Sequence, residues 1–149
     1  MILNELLEMC DETALNTGGA DSYLLGDVID TSQVNKDIGI GESLWFVLRV
    51  QTAATSGGSA TGQFRLVSDA QAAIATDGSA TIHLESPAIA VATLIADYTI
   101  LAAKLPAGTY ERYLGVLQTT AVAAFTAGKV DAFLTSDFAK WTALPDASN

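Results

Sequence analysis

The side chains able to move protons, ligate metals or attack a substrate are few: one histidine, one cysteine and an excess of carboxylates. His83 falls in the alternating run 81–85 opposite Ile82 and Leu84, so it is expected on the solvated outward face of a strand. With no second histidine, neither a histidine metal cluster nor a cupin-type site can be assembled within one chain. Cys10 has no disulfide partner and reads as a small buried hydrophobe, not a reactive thiol. The carboxylate pairs Asp11 with Glu12 and Asp27 with Asp30 lack an adjacent base or nucleophile, and a chain this acidic yields such pairs by chance. Gly39-Ile40-Gly41 forms a G-x-G, but it precedes a strand and lacks the third glycine of a dinucleotide-binding fingerprint, so it reads as a turn. Gly57-Gly58 could cradle an anion through its amides and reads instead as a hairpin tip. Trp45 and Trp141 are the candidates for a sugar-binding platform, with core or interface packing the preferred reading. No catalytic, cofactor-binding or metal-ligating residue is therefore predicted, and the chain is not expected to be an enzyme.

The elements that must carry these residues follow from composition and periodicity. With 149 residues, half of them apolar, the chain is sized for a single domain with one core. Seven Lys and Arg against seventeen Asp and Glu give a net charge of −10, which repels phosphate backbones and anionic lipid, so neither nucleic acid nor membrane is an expected partner. The first nine residues lack the basic start and unbroken apolar stretch of a signal peptide. The weakly polar window 86–105 is interrupted by Pro87, Asp97 and Lys104, and no run of about 18 apolar residues is left to span a bilayer. A soluble protein of a reducing cytoplasm is expected.

The dominant period is two. In 43–52 Leu44, Phe46, Leu48 and Val50 share one face while Arg49 and Gln51 lie on the other, the pattern of a long central strand. Gln63 to Ser68 resumes with Phe64 and Leu66 inward, and the glycines between suggest that the two strands pair as a hairpin. Further strands are predicted over 22–29, 81–85 with Ile82 and Leu84 inward, 99–105, 113–120 and 129–135. Two segments fit less well: 3–9 suits a helical turn or a strand, and 86–97 reads as a crossover with a short helical or extended piece. The resulting fold class is all-β, an antiparallel β-sandwich of about eight strands with jelly-roll character. An N-terminal arm (1–20) and a C-terminal tail (138–149) complete the single domain.

Four motifs in order, KDIGIGE at 36–42, SPAIAVATL at 86–94, LPAGTYERYL at 105–114 and FTAGKVDAFL at 125–134, resemble the capsid cement (decoration) proteins of tailed bacteriophages. The resemblance is to the small jelly-roll family first described on a Bordetella phage head, and it runs from about Lys36 to Leu134. The segment 11–23 departs from that family's pattern. The resemblance implies a structural virion protein, assembled in the host cytoplasm, that lies on the outer surface of the capsid and staples adjacent major capsid protein subunits without covalent links. A carbohydrate-binding or adhesin-like module is the alternative.

On this reading the partners are the major capsid protein and further copies of the chain, with a dimer expected before a trimer. The expected contacts are the apolar arm residues Ile2, Leu3, Leu6 and Leu7, the loop residues Lys36, Asp37 and Glu42, and the charged pair Glu111 and Arg112. Leu117 and Phe133, opposite the core-facing Val116 and Leu134, are expected to form an apolar patch for self-association.

Overall fold

A computed structural model gives the structure of residues 5–32 and 43–136. These form β1 (Glu8–Ala14), β2 (Asp21–Asp30), β3 (Trp45–Ser56), β4 (Thr61–Asp69), β5 (Thr81–Glu85), the two-residue β6 (Ile89–Ala90), β7 (Thr99–Lys104), β8 (Tyr113–Ala121) and β9 (Phe125–Thr135). Single 3-10 turns occupy Glu5–Leu7 and Val91–Thr93. Among the described residues no helix is long and apolar enough to cross a membrane.

Pairing is antiparallel throughout, in one sheet ordered β1-β9-β3-β7 and a second ordered β2-β8-β4-β5, with β6 also on β4. The pairs β1 with β9, β2 with β8, β3 with β7 and β4 with β5 are those of one long hairpin. Wrapping it around the core adds β3 with β9 and β4 with β8, which is jelly-roll connectivity. The alternation along each strand explains the wrap, because the apolar face of every strand needs a dry surface opposite it. Phe46, Leu48 and Val50 of β3 and Val130, Ala132 and Leu134 of β9 meet Phe64 and Leu66 of β4 and Leu114 and Val116 of β8 in one buried cluster.

Three expectations change. β3 and β4 do not pair: they lie in opposite sheets, joined by residues 57–60, which cross the end of the sandwich. Period-two patterning decides which side chains face inward but leaves the choice of neighbouring strand to distant segments. The predicted arm is part of the sandwich over residues 8–14, which form strand β1 with Met9 and Cys10 2% and 1% exposed. The third change concerns β5, where partners Leu66 with Leu84 and Val67 with Ile82 skip His83. This bulge reverses the parity of the strand, so Leu84 packs on the core while Ile82 is 46% exposed.

The connections divide between the two ends. Residues 15–20, 57–60, 91–98 and 122–124 gather at one end, tied by Leu15 N–H to Gly128 O (2.9 Å), Val91 N–H to Ala60 O (2.9 Å) and Ser56 Oγ to Ala124 O (2.7 Å). Residues 70–80, 105–112 and both flanks of 33–42 gather at the other, where Thr31 N–H reaches Arg112 O (2.7 Å) and Leu105 N–H reaches Leu44 O (2.8 Å).

Gly26 shows how tightly β1 and β2 approach across the sandwich. Its φ is +61°, and a Cβ there would lie 2.0 Å from Met9 O. We expect Gly26→Ala to destabilise the domain by about 1–3 kcal/mol or more. Gly57, with nothing within 4 Å of its would-be Cβ, is expected to accept alanine with a change under about 1 kcal/mol. Urea midpoints of the two variants check this, and equal losses would refute it.

Candidate interaction surface

The end built from 70–80 and 105–112 gathers a connected set of polar side chains. Arg112 forms a two-pronged pair with Asp30, Nε to Oδ1 at 2.9 Å and Nη2 to Oδ2 at 2.8 Å, and its guanidinium lies 4.9 Å from the Tyr113 ring centroid. The Arg112 hydrogen bonds, helped by those of Ser32, hold the Asp30 carboxyl far below the usual carboxylate range. Thr31 Oγ1 donates to Arg112 O at 2.7 Å, and Thr81 Oγ1 donates to Glu111 Oε1 at 3.1 Å. Glu111 and Arg112 are thus brought beside Asp30 and Thr31, and both are engaged within the chain.

His83 is half-buried rather than solvated, because the β5 bulge turns it toward Ser68. Its ring stacks on Tyr110 with centroids 3.9 Å apart and planes at 18°. Ser68 Oγ lies 2.7 Å from His83 Nε2 and accepts Glu111 N–H at 3.1 Å. A hydroxyl beside an imidazole is the start of a nucleophile and base, yet Ser68 is completely buried and no substrate carbonyl can reach it here. The group acts as a clamp joining β4, β5 and the 105–112 loop.

The remaining expected contact residues are distributed differently. Leu7 packs on the core and Leu6 is 71% exposed. Leu117 and Phe133 are 4% and 2% exposed, so they form no surface patch. Leu117 belongs to a small second cluster with Val67, Ile74 and Ala80 on the outer face of the β2-β8-β4-β5 sheet, covered by residues 70–80. The cover fits because β8 has a glycine beneath it: a Cβ at Gly115 would lie 2.6 Å from Ile74 Cδ1. Asp69 pins the loop by accepting Ala75 N–H at 2.9 Å and Gln71 N–H at 3.2 Å. Nothing in the period of β8 announces a lid, so this burial was not readable from the strand. Ile2, Leu3, Lys36, Asp37, Glu42, Trp141 and the tail 138–149 lie outside the described residues.

Beside this lid a cleft of about 200 Å³ opens, lined by polar Ser22, Arg65, Thr76 and Asp77 and apolar Val67 and Ile82 among others. It contains no aromatic ring to stack on a sugar. Trp45 is half-buried on the outer face of the other sheet. Among the described residues no group of three or more His, Cys, Asp or Glu is arranged to hold a metal ion. Burial pushes the Cys10 thiol up to about 12, so it stays protonated at neutral pH.

Burial also lowers the His83 pKa from its ordinary 6.5, against a weaker upward pull from Glu111. The unfolded chain therefore takes up the proton first, and stability present above 6.5 is lost as pH falls through the window beneath it. We expect the melting temperature to drop between about pH 7 and pH 5, and the drop to be shallower in His83→Asn. Parallel slopes for the two proteins would rule out this role.

The Bbp16 family model matches residues 17–134, from the β1–β2 connection to the end of the core of β9. The chain belongs to the Bbp16 family, a Bordetella phage protein family. No curated protein matches the chain.

Proposed function

From its membership of a phage protein family, we propose that the chain is a capsid cement (decoration) protein. It binds the outer surface of a tailed-phage head and staples adjacent major capsid protein subunits together non-covalently. The observation that carries this reading is the family match over 17–134. The jelly roll supports it as a block held together by its own apolar core, and so does the charge of −10. An acidic protein is repelled by packaged DNA and at home on the outside of the shell.

In this role the chain performs no hydrolysis or group transfer, and it acts through many weak contacts repeated over a lattice. It associates with itself on the shell, as a dimer in preference to a trimer. Leu117 and Phe133 cannot supply that contact directly, being buried within the chain. The carbohydrate-binding alternative gains nothing from the cleft beside the 70–80 lid.

The test is reconstitution. Purified heads lacking the protein should take it up to a saturating, stoichiometric occupancy, and the temperature at which they rupture should rise. Heads that take up none, or that bind it without any gain in thermal resistance, would refute a cement role.

A further inference from the structure

Charge is distributed unevenly between the two ends of the sandwich. The segments 13–20, 50–64, 86–96 and 113–128 contain no Asp, Glu, Lys, Arg or His. They are far apart in sequence, yet the wrap delivers one loop from each to the same end. Thr61 pairs with both Ala121 and Ala90, Ala54 N–H donates to Leu94 O at 2.8 Å, and a Cβ on Gly58 would stand 3.0 Å from the Ala123 methyl. In a chain of net charge −10, this end carries ionised side chains among the described residues only at its edge, at Asp21 and Asp97. Two of the four exposed large hydrophobics among the described residues, Ile95 at 58% and Val122 at 76%, stand on it.

Val122 adds a second observation. Its φ is +69°, a left-handed conformation that a β-branched residue adopts only under constraint. The β8–β9 connection therefore holds an aliphatic side chain out into solvent at a conformational cost, where Gly or Asn would sit without strain. Among the described residues charges reappear at the margin, with Asp21, Asp97 and Lys129. An apolar centre inside a charged rim is the anatomy of a protein–protein contact.

We infer that this uncharged end is the surface that seats the chain on the shell, against an uncharged, apolar patch of the major capsid protein. The inference rests on the cement reading above. Among the described residues a basic partner would find carboxylates only at the edge, at Asp21 and Asp97, so the complement of the centre of this surface is a neutral one. A second copy is the poorer occupant: two large aliphatic anchors among alanines, glycines and threonines are too few to hold an isolated dimer together. The same weak contact suffices when many copies occupy a repeating lattice. The opposite end, where Arg112 and Glu111 are already engaged by Asp30 and Thr81, then faces away from the shell.

The experiment uses purified heads lacking the protein, with three forms of the full chain: wild type, Ile95→Glu/Val122→Glu, and Arg112→Ala. Both apex residues are exposed, so the double variant should keep the wild-type far-ultraviolet spectrum. Its affinity for heads should fall about tenfold or more, while Arg112→Ala binds like wild type. Wild-type occupancy should also hold as salt rises from about 0.1 to 1 M, as an apolar contact requires. Val122→Gly, which relieves the backbone and removes the anchor without adding charge, should weaken binding by a smaller factor. Equal occupancy for the double variant and wild type would overturn the assignment while leaving the cement role standing. Loss of self-association in solution with undiminished head binding would make the surface a contact between copies, and also overturn it. Failure of the wild type itself to bind would remove both.

Discussion

Burial of a single apolar layer between two sheets is the interaction on which the rest of this structure depends. Phe46, Phe64 and Phe125 are at most 1% exposed and stand between the sheets. Fully burying a side chain of that size contributes about 1.5–3 kcal/mol, so a handful of such residues exceeds the net stability of an ordinary domain before entropy is counted. The layer also explains the topology. Each strand of the long hairpin has one apolar edge-on face, and only wrapping the hairpin on itself lets every such face meet another. Even Cys10 and Gly26 are consequences, since β1 and β2 must approach closely where the wrap begins.

The outer faces of the two sheets are handled in different ways. On the β1-β9-β3-β7 sheet, Asp131 is 7% exposed and satisfied by three donors: Arg49 Nε at 3.0 Å, Arg49 Nη2 at 2.9 Å and Glu12 N–H at 2.9 Å. That carboxylate links β1, β9 and β3 from outside the core, and a buried charge so paired is costly to strip of its partner. On the other sheet the outer apolar residues Val67 and Leu117 are covered by a loop whose Ile74 sits over Gly115. A residue that alternation marks as outward is therefore not always a surface residue.

Membership of the Bbp16 family and the jelly roll together describe a phage protein whose described residues bring no reactive constellation to an accessible place. The nearest approach to one, Ser68 with His83, is a clamp under Tyr110. What varies across the surface is charge, with the ion pairs and the bulged histidine toward one end or on the sheet faces and uncharged loops at the other. For a protein whose proposed work is adhesion to a lattice, that partition matters more than any pocket.

By itself the sequence determined the all-β class, the inward parity of Phe46, Leu48, Val50, Phe64 and Leu66, and the likeness to a phage protein family through the motifs at 36–42, 86–94, 105–114 and 125–134. Those properties are local, set by alternation over a few residues or by short spacings. Tertiary structure alone decided that β3 and β4 belong to different sheets, that 8–14 is a strand rather than an arm, and that Leu117 lies under a lid. It also decided that His83 turns toward Ser68, because a one-residue bulge reverses parity without leaving a mark in composition. Four uncharged segments are visible in the sequence, but that they form one surface is not. Their convergence depends on pairings between residues as distant as Thr61 and Ala121, and no period within a strand records which distant strand will be its neighbour.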